Sequence, residues 1–210
     1  MEITIALPKG RLAEMLNKIF EKMGFNFNED MKNTRNLVLK DEENLITCFL
    51  VKPSDVLIYV ENGVADIGIA GKDVVLENNK SVKVICDLEF GKCKISVAGI
   101  KGKTINYSSE IIKVATKYPN ITKDYFDKKN QKIEILKLNG SVELAPLLGL
   151  SEVIVDIVET GSTLKSNGLE VFEDIFEVNA QIILNPKSYI LKEERIKQLV
   201  ANIKTNSIGI

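Results

Sequence analysis

The chain has 210 residues, of which 45% are hydrophobic and 27% are charged, the ordinary mixture of a globular protein. This composition excludes a disordered chain, which lacks the apolar surface needed to offset the entropy lost on folding. Lys and Arg number 28 and Asp and Glu number 29, so the formal net charge is −1. Such a balance provides no bulk attraction to nucleic acid or to an anionic membrane, and we expect neither as a partner.

The cysteine and histidine content limits the possible chemistry. Cys48, Cys86 and Cys93 have the spacing of neither a disulfide framework nor a zinc motif, and we interpret them as buried thiols of a reducing compartment. The chain contains no histidine, which excludes imidazole bases, Ser-His and Cys-His triads and His-bound metals. Any catalysis must therefore use carboxylates, Lys, Arg, hydroxyls and backbone N–H groups.

The hydropathy pattern predicts a cytoplasmic protein. No apolar stretch approaches the ~18–20 residues that a membrane-spanning helix requires. The N-terminus carries an acid at Glu2 and only a short apolar run before Pro8, which is unlike a signal peptide.

The first half of the chain alternates predicted strands and helices. Apolar residues at steps of three and four between Leu12 and Met23 indicate an amphipathic helix, with Gly24 as its stop. Residues 40–44 are predicted to connect a hairpin, and Ser54 is the expected N-cap of a helix that runs through Glu61. A further helix is expected to start at 71–73. The predicted strands are 3–7, 37–39, 45–51, 66–70 and 82–88.

The second half repeats this alternation. Its predicted strands are 94–99, 111–116, 132–138 and 153–158, followed by a long extended run over 172–184. Its predicted helices are 120–129, 141–148, 161–167 and a last one around 196–203.

This element order predicts an α/β protein with mostly parallel sheets. Near 88–95 and 172–185, a long extended segment has no helix between its halves. If the chain crosses between lobes at both places, domain I comprises 1–90 and 178–210, and domain II comprises 91–177. We expect ligands to bind in a cleft between two such lobes.

A candidate anion site follows the apolar strand 153–158, which carries a single carboxylate, Asp156. Free N–H groups at the start of the next helix, a glycine that allows close approach and hydroxyl donors together suit a phosphate. Asp156 beside them suits the hydroxyls of a ribose. An N-capped helix with Asp156 in a structural ion pair would have the same sequence. The candidate loop comprises Glu159, Thr160, Gly161, Ser162 and Thr163.

A second candidate cluster is basic. The residues Lys9, Arg11, Arg35 and Lys52 all lie at strand ends or in loops of the first lobe. Four cations facing one site would bind a polyphosphate, and guanidinium groups would do so with two parallel hydrogen bonds. Each of them taken singly could equally be a solvated surface charge. We interpret Lys101, Lys103, Lys128, Lys129 and Lys132 as solvated surface residues.

The segment 143–164 resembles the signature of the ATP phosphoribosyltransferase family. The shared positions are Glu143, Gly149, Asp156 and the sequence Thr-Gly-Ser-Thr-Leu at 160–164. The segments 7–11 and 51–73 are similar to the start and the central block of the same family. The resemblance therefore covers roughly the whole chain.

The resemblance implies a two-lobed fold like the type II periplasmic binding proteins. It also implies transfer of the 5-phosphoribosyl group of phosphoribosyl pyrophosphate (PRPP) to N1 of ATP. Pyrophosphate would leave, and Mg²⁺ would be bound mainly through PRPP, with no protein metal ligands. In the matching motif, Glu159–Thr163 would hold the 5-phosphate, Asp156 would bind the ribose hydroxyls, and Glu143 would contact the substrate.

The same resemblance implies that the basic residues of the first lobe face the pyrophosphate and the ATP phosphates. Lys9, Arg35 and Lys52 would be catalytic, and Arg11 would bind substrate. Family members usually have Arg at the position of Lys52, and Lys keeps the charge but loses the bidentate geometry. The chain length resembles the short form of the family, in which a homodimer works within a hetero-oligomer containing a regulatory subunit similar to histidyl-tRNA synthetase.

Three other interpretations remain at this point. A solute-binding protein of the same fold would bind ligand without turnover. A type I phosphoribosyltransferase also has a Thr-Gly-x-Thr loop, but it normally carries two adjacent acids where this chain has Asp156 and Ile157. A regulatory module would bind ATP and PRPP and release no pyrophosphate.

Overall fold

A computed structural model of the chain describes residues 1–31, 34–78 and 80–209. It divides into two compact units. Unit 1 comprises Met1–Val75, Asn79–Gly91 and Asn179–Ile210, and unit 2 comprises Leu76–Asn78 and Lys92–Val178. The short connections between β5 and β6 and between β10 and β11 carry the chain from one unit to the other, at 91–92 and 178–179.

The elements of the described residues alternate along most of the chain. The strands are β1 (Ile3–Pro8), β2 (Val38–Asp41), β3 (Ile46–Val51), β4 (Ile67–Gly71), β5 (Lys83–Asp87), β6 (Cys93–Ile100), β7 (Ile112–Thr116), β8 (Ile133–Lys137), β9 (Val153–Val158), β10 (Leu169–Val178) and β11 (Ala180–Leu184). The helices are α1 (Arg11–Lys22), α2 (Val56–Glu61), α3 (Lys72–Asn78), α4 (Pro119–Lys128), α5 (Leu144–Leu147), α6 (Ser162–Ser166) and α7 (Pro186–Asn206).

Unit 1 is built on a sheet with the strand order β2-β3-β1-β4-β11-β5. The pairs β1/β3 and β1/β4 are parallel, whereas β2/β3, β4/β11 and β5/β11 are antiparallel. One face packs against α1 and α7 through residues such as Leu16, Phe20 and Ile203, and the other packs against α2 through Val56 and Val60. Both faces are covered, and β1 accordingly has buried apolar residues on both sides, such as Ile5 and Ala6.

Unit 2 contains a sheet with the order β10-β6-β9-β7-β8. Strands β7, β8 and β9 are parallel, and β6 and β10 are antiparallel additions. Helix α4 covers one face through Ile121 and Phe126. The other face packs against α5 and α6, with Ala145 and Leu164 in contact with a cluster that includes Ile154.

The α/β class is confirmed, but the expectation of mostly parallel sheets is wrong, because both sheets are mixed. Hairpin pairing makes β2/β3 antiparallel. The extended run that was expected over 172–184 is divided into two strands, because β10 pairs in unit 2 and β11 pairs in unit 1. After the second crossing, β11 returns to the unit 1 sheet antiparallel to both of its neighbours, β4 and β5.

Two local predictions also need correction. Ser54 is not an N-cap, because its hydroxyl donates to Asp55 Oδ1 at 2.9 Å, and Pro53–Asp55 form a 3₁₀ turn before α2. The helix expected over 141–148 is the single turn α5, since Ser141 has a positive φ of 49° and Pro146 lies within the turn. The expected stop at Gly24 is present, with a φ of 77°.

Candidate functional site

The basic residues of unit 1 lie near the carboxyl ends of its parallel strands. Lys9 follows β1, Lys52 follows β3, and the amide of Lys9 donates to the carbonyl of Val51 at 2.8 Å. Arg35 lies just before β2, which starts beside the end of β3 because the two strands are antiparallel. The neighbouring positions of β2, β3 and β1 in the sheet therefore bring Lys9, Arg35 and Lys52 to one edge of it.

These cations are available to an anionic ligand. The side chains of Lys9, Arg35 and Lys52 are exposed. Among the described residues, none of the three has a carboxylate within 4.0 Å or a side-chain hydrogen bond. Arg11 is the first residue of α1 and is also exposed, but it interacts within the protein.

The turn between β1 and α1 adds backbone donors to this edge. Gly10 has a φ of 96° and a ψ of −153°, a conformation that disfavours other residues, and no side chain caps the helix. A cavity of about 160 Å³ adjoins the turn. It is lined by Lys9, Gly10, Ala13, Glu14, Met31, Thr34 and Leu50.

In unit 2, the predicted anion loop Glu159–Thr163 connects β9 to α6. Gly161 is left-handed, with a φ of 72° and a ψ of 8°, and it precedes the first residue of α6. The hydroxyl of Thr160 donates to Ser162 Oγ at 3.0 Å, and it accepts a long bond from the Ser162 amide at 3.3 Å. These local hydrogen bonds hold the hydroxyls of Thr160 and Ser162 next to each other. The side chains of Thr160, Ser162 and Thr163 are exposed.

The backbone amides of the anion loop are largely unused. In the part of the chain that the structure describes, no protein acceptor receives a hydrogen bond from the amides of Gly161, Thr163 or Leu164. The first N–H groups of a helix lack intrahelical partners and carry partial positive charge. The amides of Gly161, Thr163 and Leu164 are therefore without a protein acceptor among the described residues, as an anion site requires.

The carboxylates expected beside the loop lie on the α5/α6 side of the sheet. Ile154 packs against that cluster, so Asp156, two residues later on β9, is on the same face. Asp156 is half-buried and interacts within the protein. Glu143, also half-buried, directly precedes α5 and follows β8, so it belongs to the same edge as the loop.

A cavity of about 390 Å³ adjoins the anion loop. It is lined by Val158, Glu159, Thr160 and Gly161, by Lys94, Ser96 and Asp174, and by Leu164, Lys165, Leu169, Glu170 and Val171. Neither Asp156 nor Glu143 lines it.

Sequence reasoning missed Lys94, Ser96 and Asp174. The ammonium of Lys94 lies 2.5 Å from Asp174 Oδ2, and Ser96 Oγ donates to Asp174 Oδ1 at 2.8 Å. The hydrogen bond to Asp174 raises the pKa of Lys94, and the bonds from Lys94 and Ser96 lower the pKa of Asp174. No local pattern could have revealed this group, because the pairing of β6 with β10 joins residues far apart in sequence.

Lys129 is exposed, as expected of a solvated surface residue, but it also has partners within unit 2. Its ammonium pairs with Glu173 and lies 4.9 Å and 4.8 Å from the ring centroids of Tyr107 and Tyr125. Both tyrosine hydroxyls also donate to Glu173. The cluster joins α4, β10 and the loop before β7 within unit 2.

The described residues contain no group of three or more Cys, Asp or Glu side chains that could hold a metal ion. None of the helices in the described ranges combines the length and the apolar character needed to cross a bilayer.

Comparison with known proteins identifies the family. The model of the family described as "HisG: ATP phosphoribosyltransferase" matches residues 52–205. The ATP phosphoribosyltransferase of Clostridioides difficile (strain 630) is 60% identical over 198 residues, which cover 94% of this chain and 95% of the relative. This chain belongs to the ATP phosphoribosyltransferase family. The enzyme of that name from Brachyspira hyodysenteriae is 50% identical, over 96% of this chain and 98% of its own length.

Solved structures agree with this assignment. The "ATP phosphoribosyl transferase (HisG:HisZ) complex from Thermotoga maritima" matches with a TM-score of 0.84 and 37% identity, over 97% of this chain and 98% of the other. The periplasmic aliphatic sulphonate binding protein SsuA of Escherichia coli matches with a TM-score of 0.67, over 98% of this chain and 72% of the other. At 13% identity, SsuA shows the fold alone, and this fold is the two-lobed type II periplasmic binding-protein architecture.

Family membership makes the chain a pentosyltransferase of histidine biosynthesis, in which it acts at the first step. The fold and the activity that the sequence resemblance implied are therefore confirmed. The roles of individual residues are not tested by these comparisons and remain predictions.

Proposed function

We propose that the chain transfers the 5-phosphoribosyl group of PRPP to N1 of ATP, with the anion loop binding the 5-phosphate. The observation that carries this assignment is the set of free amides at Gly161, Thr163 and Leu164, at the carboxyl edge of the unit 2 sheet. A helix start with unused N–H groups and adjacent hydroxyls matches the oxygens of a phosphate monoester.

The carboxylates on the same edge suit the sugar of the substrate. Asp156 directly follows the buried part of β9, and Glu143 directly precedes α5. A carboxylate accepts hydrogen bonds from two vicinal hydroxyls at once, and its charge makes these bonds stronger than those to a neutral hydroxyl oxygen. We assign Asp156 to the ribose hydroxyls and place Glu143 as a further substrate contact.

We assign the cations of unit 1 to two groups of phosphates: the pyrophosphate that leaves PRPP and the triphosphate that stays on ATP. N1 of adenine has a free lone pair and needs no deprotonation before it attacks C1 of the ribose. The costly event is departure of pyrophosphate, which leaves positive charge on the ribose and negative charge on the leaving oxygen. Lys9, Arg35 and Lys52 would stabilise that negative charge electrostatically, and Arg11 would help to bind the phosphates. This mechanism requires no general base, in agreement with the absence of histidine.

Mg²⁺ enters this proposal as part of the substrate. The described residues provide no cluster of carboxylates for a resident ion, but PRPP and pyrophosphate chelate Mg²⁺ through their own oxygens. When bound in this way, the ion neutralises the developing charge of the leaving group. The residues of this chain would then contact the remaining phosphate oxygens.

The partner proposal rests on the relative from Thermotoga maritima, which was solved as a HisG:HisZ complex. We infer that this chain also acts as a homodimer within a hetero-oligomer that contains a regulatory subunit resembling histidyl-tRNA synthetase.

A pyrophosphate-release assay with Mg²⁺, ATP and PRPP tests the function, with and without the regulatory subunit. We expect pyrophosphate only when both substrates are present, together with a product that absorbs like an N1-substituted adenine. Binding of ATP and PRPP without release of pyrophosphate in either preparation would show a nucleotide-sensing module and contradict the proposal. Binding of an amino acid or a sulphonate instead of PRPP would indicate a solute-binding protein.

A further inference from the structure

An exposed cation, Lys94, forms an ion pair with Asp174 in the cavity beside the anion loop. Lys94 and the loop residues Thr160 and Gly161 line the same space of about 390 Å³. In the antiparallel ladder of β6 and β9, Lys94 pairs with Val158, the residue directly before the loop. Paired residues of adjacent strands project from the same face of a sheet, with their Cβ atoms ~4.5–5.5 Å apart. Lys94 therefore stands beside the start of the loop.

The ammonium of Lys94 is oriented by a short chain of hydrogen bonds. Asp174 Oδ2 accepts from Lys94 at 2.5 Å, and Asp174 Oδ1 accepts from Ser96 Oγ at 2.8 Å. Ser96 is only 1% exposed, so its position is determined by the strand rather than by solvent. Both oxygens of Asp174 are thus bound. An ammonium has three N–H donors, which leaves two of those of Lys94 for a ligand.

The anion loop by itself lacks positive charge. Its donors are neutral amides and hydroxyls, and its only ionisable side chain, Glu159, is an acid. A phosphate monoester carries up to two negative charges near neutral pH, and charged donors bind it more strongly than neutral ones do. A cation close to the loop would supply the positive charge that the loop side chains lack.

We propose that Lys94 is a further binding residue for the 5-phosphate, and that Asp174 and Ser96 are positioning residues that hold its ammonium beside the loop. This inference rests on the proposed function of the loop. Lys94 and Lys165 both line the cavity and are exposed, but among the described residues only Lys94 has a carboxylate, that of Asp174, within 4.0 Å. The two lysines carry the same charge, but the ammonium of Lys94 is positioned by Asp174 before a ligand binds, and this should make it the stronger phosphate contact.

Ribose 5-phosphate and inorganic pyrophosphate, titrated separately by calorimetry, test the assignment because they divide the PRPP molecule in two. We expect Lys94→Met to weaken ribose 5-phosphate binding about 10-fold, the scale of one charge-assisted hydrogen bond, and to leave pyrophosphate binding unchanged. The salt dependence of ribose 5-phosphate binding should become shallower. In turnover, the KM for PRPP should rise by a similar factor while kcat stays within about 2-fold.

Two further variants and one control separate binding from a general structural effect. Lys94→Arg keeps the charge and should restore most of the affinity. Ser96→Ala keeps every charge but loosens Asp174, and it should weaken ribose 5-phosphate binding about 2–3-fold. Lys165→Met removes a lysine of the same cavity that has no carboxylate partner among the described residues, and it should change neither titration.

The outcomes are distinguishable from a failure of the proposed function. If the wild-type chain releases pyrophosphate and binds ribose 5-phosphate, but Lys94→Met binds it equally well, the inference is wrong and the function stands. An equal loss in Lys94→Met and Lys165→Met would also overturn the inference, because it would show a diffuse charge effect. If the wild type neither turns over nor binds ribose 5-phosphate, the loop assignment and the inference fail together. If circular dichroism shows that Lys94→Met is unfolded, the same titrations of Ser96→Ala and Lys165→Met decide whether Lys94 binds the 5-phosphate.

Discussion

The ammonium of Lys192 lies 2.8 Å from Oδ2 of Asp66, a carboxylate that is buried at the start of β4. The same ammonium donates to the carbonyl of Glu2 at 2.9 Å, and the amide and hydroxyl of Thr4 both donate to Asp66. Lys192 itself departs from helical geometry, with a φ of −129° inside α7. The irregular turn of α7 thus coincides with the attachment of this helix to β1 and β4 in unit 1.

We expect Asp66→Asn to lower the free energy of unfolding by about 2–4 kcal/mol, because it leaves Lys192 without its partly buried partner. Burial acts to raise the pKa of Asp66, but the hydrogen bonds from Lys192 and Thr4 outweigh it and lower the pKa below the usual value. A lowered folded-state pKa gives stability above the unfolded-state value of about 3.9, and this stability is lost as the pH falls further. Urea unfolding between pH 8 and pH 3 measures the difference, which should shrink only below about pH 4.

Glu193→Gln is the matched control for this prediction. Glu193 pairs with Lys197 at 2.8 Å on the same helix, but both side chains are about half exposed. An exposed pair four residues apart contributes about 0.3–0.5 kcal/mol, so the variant should unfold nearly like the wild type. Equal losses in Asp66→Asn and Glu193→Gln would contradict the special role of the buried carboxylate.

Replacement of Gly161 tests the backbone of the anion loop. An added Cβ would have room, since Val158 Cγ1 is the nearest atom at 3.9 Å, but the φ of 72° disfavours any side chain. Gly161→Ala should cost about 1–2 kcal/mol of stability and raise the KM for PRPP at least several-fold. Gly168→Ala is a close control, because Gly168 has a φ of 71° just beyond α6 and lies outside the loop. A similar rise of KM in both variants would show a general backbone effect.

Removal of the unit 1 cations tests the leaving-group proposal. Arg35→Ala and Lys52→Ala should each reduce kcat by roughly 10²–10³-fold, the scale for loss of one preorganised donor. Lys52→Arg keeps the charge and gains a planar pair of donors, so its kcat/KM should equal or exceed that of the wild type. Steady-state pyrophosphate release measures all three variants. Turnover near the wild-type rate in both alanine variants would contradict this part of the mechanism.

Lys129 should stabilise unit 2 through Glu173 and the two tyrosine rings. Lys129→Met is expected to lower the free energy of unfolding by about 1 kcal/mol, since the ion pair is partly exposed and screened. Lys128→Met removes a neighbouring lysine without an ion pair among the described residues and should have little effect. Chemical unfolding of both variants in low and high salt tests the difference, which should decrease as salt is added.

The pH dependence of this cluster follows from its tyrosines. Burial and the hydrogen bond to Glu173 raise the pKa of Tyr125 to about 12. A raised folded-state pKa gives stability that is complete below the unfolded-state value of about 10 and is lost as the pH rises towards 12. Unfolding of the wild type and Tyr125→Phe at pH 8 and pH 11 should therefore show a smaller difference at the higher pH. A difference that does not change would contradict this coupling.

Most elements of the fold could be predicted because their signals are local. The periodicity of Leu12 to Met23 corresponds to α1, and the apolar run 153–158 is β9. Direction and pairing depend on distant partners, and for this reason the antiparallel pairing of β10 with β6 and of β11 with β4 and β5 was missed. Ser54 was misassigned as a cap. Serine is common at helix starts, but here the neighbouring carboxylate of Asp55 accepts the hydrogen bond of the Ser54 hydroxyl.

The sequence by itself determined the family, the α/β class and the composition of the anion loop, because each depends on residue types at fixed spacing along the chain. Only the tertiary structure decided that the amides of Gly161, Thr163 and Leu164 have no acceptor among the described residues, and that Lys94 pairs with Asp174, which also accepts a hydrogen bond from Ser96. The physical reason is that hydrogen-bond partnership and charge pairing are set by distances between strands. Residues 94 and 174 become neighbours only when β6 and β10 pair.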